Sequence, residues 1–322
     1  MMLSWLEIGS LWRNLFLLCS LVTALALGVF AARHSKHRGV ALLLGVSATP
    51  LAQYLWTLLL ALVWPRASRY VYIFALPLAS VGYLLYLLIR YRRSLLPGAR
   101  RLWARCKALA RLDRAAALCV ALVLALALLM LPAAQVLLIR SDNGEMDAGE
   151  YLALGLRYCE DRDLGYLLAK EYPDGHFRGH GHFPSMELYF AHGLMFTGGE
   201  YGYPNDKAVF TGIGMLTGYC LCAFVALLWL ACRGKVRWVA LGLLLINMVP
   251  LLSASIISAP RDIWRLHGMC LFAAYLLCLN TAGNGKKLVG KAVTMALMGF
   301  VCMSLHVVNF VVLPFLVVAW VM

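Results

Sequence analysis

Long apolar runs, separated by short clusters of basic residues, proline and glycine, organise most of this 322-residue chain. The runs cover residues 14–32, 39–64, 70–89, 116–139, 208–232, 238–257, 263–280 and 288–322. Most reach the ~20 residues that carry an α-helix across ~30 Å of hydrocarbon. The last, at 35 residues, is too long for one crossing and is read as two short helices meeting near Ser304–His306. The pattern predicts an all-α polytopic membrane protein of eight or nine transmembrane helices. The one long polar stretch, residues 140–207, is expected to be a large, partly helical outer loop.

Composition sharpens this reading. Hydrophobic residues make up 62% of the chain and charged residues 14%, which excludes a soluble fold of this length. The formal charge of +14 would suggest a polyanionic partner, but it averages two unlike regions. Residues 140–207 hold twelve of the fifteen acids and six bases, a local net charge of −6. Elsewhere 23 bases meet only Glu7, Asp113 and Asp262. Segments 33–38, 90–114, 233–237 and 281–291 together carry 18 bases, against four in segments 65–69 and 258–265. The positive-inside rule therefore places the first set in the cytoplasm, and the N-terminus, the acidic loop and the turn at 260–265 outside. The first apolar run leads to Arg33, Lys36 and Arg38 rather than to a small-residue cleavage site, so no cleavable leader is expected. Of ten cysteines only Cys159 lies in the large loop, which argues against a disulfide framework.

Three organisational units follow: an N-terminal three-helix membrane extension (1–91), a basic cytoplasmic linker (92–115) and a membrane core (116–322) that includes the outer loop. After Pro97-Gly98 the linker spaces Leu102, Trp103, Cys106, Leu109 and Ala110 helically, with arginines and Lys107 between them. This suits a helix on an anionic leaflet, or simply a topology anchor. Nothing here interleaves aromatics with a basic surface as single-stranded nucleic-acid binding requires, so no nucleic-acid partner is expected.

The outer loop carries the candidate chemistry. D-A-G-E-Y-L-A-L-G-L (Asp147 to Leu156) opens a helix, and E-D-R-D-L (Glu160 to Leu164) and K-E-Y (Lys170 to Tyr172) follow. Next comes H-F-P-S-M-E-L-Y-F-A-H-G-L-M-F-T-G (His182 to Gly198). Two later segments are A-P-R-D-I-W-R-L (Ala259 to Leu266) and G-F-V-C-M-S-L-H-V-V-N-F-V-V-L-P (Gly299 to Pro314). In order, spacing and topology this set resembles GT-C-type integral-membrane glycosyltransferases. The nearest group is the protein-mannosyltransferase and aminoarabinose-transferase-like family, family 39, and the resemblance covers about residues 116–322. Ala148 stands where many members have Glu, and His306 where Lys or Arg is usual. The chain ends at Met322 where the family continues, so it reads as a truncated or minimal member.

The resemblance implies a GT-C-like core and transfer of a sugar from a polyprenyl-phosphate donor to an acceptor hydroxyl at the outer face. It also implies a role in cell-envelope glycosylation, in the plasma membrane of a bacterium. The acceptor could be a lipid, a glycan or a protein, and membrane lipids are the remaining partners. Such transfer needs a carboxylate to take the acceptor proton and cations to receive the departing phosphate. Asp147 is the expected general base; a helix cap is its plainer role. Tyr151, one turn on, and Glu150 would position substrate. Arg261 and Arg265 suit the phosphate, with Asp262 between them to orient an arginine, contact the acceptor or form a surface ion pair. His176, His180 and His182 beside Arg178 suit sugar or phosphate hydrogen bonding. Of these, His180 and His182 with Asp262 could hold a divalent metal, and no other cofactor is implied. His306, deep in an apolar pair of helices, is a further candidate for substrate binding, or else a neutral partner of Asn309. Two other readings remain: a non-catalytic relative acting as an assembly partner, and a lipid-linked sugar carrier or flippase.

Overall fold

The computed structural model describes residues 11–112, 146–164, 185–197, 206–248, 260–281 and 295–301, together with residues 293, 314 and 318. Among the described residues the secondary structure is α-helical and there is no strand. In chain order the helices are α1 (Leu11–His34), α2 (Arg38–Ser47), α3 (Thr49–Val63), α4 (Arg69–Leu112), α5 (Met146–Asp161), α6 (Ser185–Thr197), α7 (Asp206–Ala231), α8 (Val236–Met248) and α9 (Pro260–Thr281).

Two of these helices are long and apolar enough to cross a membrane, Asn14–His34 within α1 and Arg69–Arg93 within α4. A third joins them if α2 and α3 form one span. Met215–Ala231 and Ile263–Cys278 are shorter apolar helices. The run at 116–139 and most of 249–259 and 282–322 lie outside the described residues. The architecture is thus that of an all-α membrane protein with two to three candidate spans among the described residues, not eight or nine.

The sequence pattern suggests one helix over 39–64, but the chain makes two, bent by 46°. Pro50 is the cause. It has no N–H to give to the carbonyl of Val46, and that carbonyl instead accepts a hydrogen bond from Thr49 Oγ1 at 2.7 Å. A second difference concerns the linker. It does not begin a new helix after Pro97-Gly98, because α4 runs through both Pro77 and Pro97 for 44 residues. At that length, about 66 Å, it exceeds the hydrocarbon thickness about twofold. Trp103, in its distal part, is 74% exposed.

Helices α1 and α2 touch backbone to backbone. A Cβ on Gly45 would lie 2.4 Å from the carbonyl oxygen of Leu27, and one on Gly28 would lie 2.8 Å from Val46 Cγ2. Small residues at such a crossing let dispersion act between main chains where no hydrophobic effect drives helix association. The outward faces of α1 and α4 are leucine-rich, with Leu18, Leu21, Leu78 and Leu85 all more than half exposed, as expected of surfaces that meet lipid.

One hydrophobic core joins residues far apart in the chain. Phe16 of α1, Tyr54 of α3, Tyr72 and Ile73 of α4, Tyr158 of α5, Leu216 of α7 and Trp264 of α9 all pack around α6. The N-terminal helices therefore share their core with the helices of the later part of the chain. Helix α6 is the hub, buried from Ser185 through Phe196 on every side.

Candidate functional site

Helix α6 follows Pro184 and is apolar around its whole circumference, the pattern of a helix enclosed by others. Its contacts fix how the neighbouring helices sit. A Cβ on Gly155 of α5 would lie 2.9 Å from the carbonyl oxygen of Glu187 and 3.1 Å from the amide nitrogen of Ala191, two groups of a single α6 turn. One turn further along α5, the Cys159 thiol donates to the carbonyl of Ala191 at 3.5 Å, one turn further along α6. The two helices therefore run side by side in the same direction. At the start of α6, Ser185 Oγ accepts a hydrogen bond from Trp264 Nε1 at 3.0 Å. The same indole stacks on Tyr189 with ring centroids 5.0 Å apart. Because Trp264 lies in the first turns of α9, the N-terminal ends of α6 and α9 are adjacent.

The N-terminal ends of α6 and α9 thus meet, and α5 starts on the same side, more than two turns before its contact with Glu187. Each helix has a carboxylate residue in its first turn: Asp147 in α5, Glu187 in α6 and Asp262 in α9. The plain role of such acids is to complement the positive end of the helix dipole. Helix N-termini also supply amide donors and a positive potential suited to a phosphate.

The sequence-derived candidates are distributed as follows. Asp147, Glu150 and Tyr151 lie in the first turns of α5, on helical backbone as the sequence suggests. Arg261 and Asp262 lie in the first turn of α9. The side chains of these five lie outside what the structure describes. Arg265, one turn on, is half-buried. His176, Arg178, His180, His182, His306 and Asn309 lie outside the described residues. Among the described residues no group of three or more His, Cys, Asp or Glu side chains is placed to hold a metal.

The sequence reading does not single out two ionisable residues of α6. Glu187 is 2% exposed, and its Oε2 has no hydrogen-bond partner among the described residues. Burial pushes its carboxyl up to about 8, although its own amide and that of Met186 pull the other way. At neutral pH it is largely protonated and able to donate a hydrogen bond. His192 is 1% exposed, and burial pushes it down to about 4, so it is neutral. Its Nδ1 lies 3.2 Å from Thr57 Oγ1, which gives its only proton to the carbonyl of Gln53 at 2.9 Å. Nδ1–H of His192 is therefore the donor. The thread continues as Gln53 Nε2 donates to Ser20 Oγ at 2.8 Å, linking α6 through α3 to α1. The sequence does hold a signal for both residues, since each is an ionisable group inside an otherwise apolar stretch.

Two other groups of α5 have roles that the structure limits. The Cys159 thiol is pushed up to about 12 by burial, against the pull of Arg162, so it stays protonated and is not a nucleophile. Tyr158 is fully buried and shares a 3.0 Å hydrogen bond with Tyr72 of α4. Arg162, just beyond α5, has a positive φ of 56° and lies over the Tyr72 ring at 4.8 Å. Its Nε donates to the carbonyl of Cys159 at 3.0 Å, which caps the end of the helix.

Comparisons with protein families, with curated proteins and with solved structures find no match for this chain.

Proposed function

We propose that this protein is an integral-membrane glycosyltransferase that takes a sugar from a polyprenyl-phosphate donor and passes it to an acceptor hydroxyl. The observation that carries this reading is that α5 and α9 both start on the N-terminal side of α6. Asp147 and the Arg261–Arg265 turn are 114 residues apart in sequence, and the shared hub supports one site built from both. Asp147 removes the acceptor proton as the hydroxyl attacks the anomeric carbon. The bond to the phosphate breaks, and Arg261, Arg265 and the positive helix ends receive the departing charge. Glu150, Tyr151, Arg178, His180, His182 and His306 position donor and acceptor, and Asp262 orients the arginines. A divalent cation held by His180, His182 and Asp262 belongs to the same reading.

In this reading the chain has a GT-C-like core. It sits in a bacterial plasma membrane with the 140–207 loop outside, since the donor's tail stays in the bilayer while its phosphate and sugar reach the loop. The test is transfer by the purified chain in lipid, given polyprenyl-phosphate sugars. Asp147→Asn should abolish turnover while thermal unfolding stays unchanged. Undiminished turnover in that variant would remove Asp147 from the mechanism, and absence of transfer by the wild type would favour a non-catalytic assembly partner.

A further inference from the structure

A cleft of about 880 Å³ opens between α1, α2 and α4, away from the α5–α6–α9 group. This size lies within the range typical of ligand sites. Its walls are aliphatic, formed by Leu25 and Val29 of α1, Leu42 of α2 and Leu85 and Leu88 of α4. Arg33, Arg38 and Tyr91 complete its lining. Arg33 donates from Nη2 to the Tyr91 hydroxyl at 3.0 Å and lies over the same ring at 4.9 Å, which holds the guanidinium at the cleft.

The electrostatics of this rim are one-sided. The sequence has no Asp or Glu from residue 8 to residue 112, so neither arginine has an acid nearby in the chain. Arg38 is moreover the first residue of α2, where a cation opposes the helix dipole, and among the described residues no side chain caps that end. An apolar cleft that ends in two cations and an uncapped helix start is complementary to an amphiphile with an anionic head.

We infer that this cleft binds an anionic phospholipid of the bilayer, with its acyl chains along the α1–α4 walls and its phosphate at Arg33, Arg38 and the start of α2. Inorganic phosphate would use the rim but leave the apolar walls bare. A zwitterionic lipid would bring a third cation to a site that already has two. The inference is independent of the glycosyl-transfer reading, which concerns other helices.

The experiment is native mass spectrometry of the full chain in detergent with equimolar dioleoyl-phosphatidylglycerol and dioleoyl-phosphatidylcholine. The wild type should retain the anionic lipid preferentially, by roughly tenfold or more. Arg33→Gln with Arg38→Gln should bring the preference close to that of a neutral cleft, whereas Arg100→Gln with Arg101→Gln should leave it intact. Leu85→Trp, at a half-exposed position that tolerates bulk, should fill the cleft and lower occupancy by either lipid. This variant also tests the site if the double-arginine variant does not fold. A preference that survives loss of both arginines, or occupancy untouched by Leu85→Trp, would overturn the inference. So would thermal stabilisation by inorganic phosphate equal to that given by the anionic lipid.

Discussion

Helices α1–α4 and the helices around α6 differ in the kind of polar group they enclose. In the first region the buried polar groups are uncharged: Thr23 Oγ1 gives its proton to the Cys19 carbonyl, Ser80 to that of Leu76, and Gln53 Nε2 reaches Ser20, while Ser47 Oγ, Gln53 Oε1 and Tyr83 OH have no partner among the described residues. Its charges are all basic through residue 112, and eight of them, from Arg90 to Arg111, lie in the distal part of α4. Around α6 one carboxyl, Glu187, and two imidazoles, His192 and His267, are wholly enclosed, and the carboxyl keeps an oxygen without a partner among the described residues. A satisfied polar group holds helices together at little cost, whereas an unsatisfied one is expensive and is retained where it serves a purpose. The glycosyl-transfer proposal puts the chemistry in the α5–α6–α9 group and leaves α1–α4 as scaffold and lipid contact.

The sharpest way to break that division is Asp147→Asn, expected to lower sugar transfer by about 10²–10⁴-fold, the usual contribution of a general base. An equal loss from any conservative change confined to α1–α4 would undo the assignment. Next in size is Gly45→Ala at the α1–α2 crossing. The added Cβ meets backbone rather than a movable side chain, so the destabilisation should reach the upper end of overpacking, about 3 kcal/mol, read as a lower thermal midpoint in detergent.

The pH dependence of stability separates the two regions further. Glu187 titrates near 4.5 when unfolded and about 8 when folded, so its stabilising neutral form is fully present below pH 4.5 and its contribution is lost as pH rises towards 8. His192 moves from 6.5 to about 4, so its contribution is present above pH 6.5 and lost as pH falls through 4. The two slopes oppose each other between about pH 4.5 and 6.5, and above that only the Glu187 slope remains of these two. Glu187→Gln should remove a decline of about 1.4 kcal/mol per pH unit, its gain over wild type growing up to pH 8. A melting profile unchanged by this substitution would mean that the carboxyl is not enclosed.

Smaller effects test the anchoring of α9. Ser185→Ala takes the acceptor from Trp264 Nε1 and should cost about 1–3 kcal/mol, because a buried donor is left unpaired. Least of all, Gly82→Ala on α4 meets nothing within 4 Å among the described residues and should be neutral or stabilise by up to about 1 kcal/mol. A marked loss there would show that the outward face of α4 is covered by something other than lipid.

The apolar runs read from the sequence match α1, α4, α7 and α9 well, because a stretch that is apolar all round needs no partner to declare itself. The helix opening at Asp147 was legible too, from its first-turn acids and the following leucines. The bend at Ala48 could have been found from Pro50, whose missing N–H is a local signal. The unbroken course of α4 through Pro97 could not, since proline and glycine together normally end a helix. The hydrogen bond between His192 and Thr57 spans 135 residues, and no local pattern encodes such a pair.

Sequence alone thus determined the class of the protein: its α-helical, membrane-type character and its division into acid-free and acid-rich parts follow from composition and period, which belong to each segment separately. Only the tertiary structure decided that α6 is the enclosed hub, that α5 runs parallel to it, and that α9 starts at its N-terminal end. Those facts depend on close approach at Gly155 and on one indole reaching one serine. Such contacts are fixed by the joint packing of several helices, so no single segment carries them.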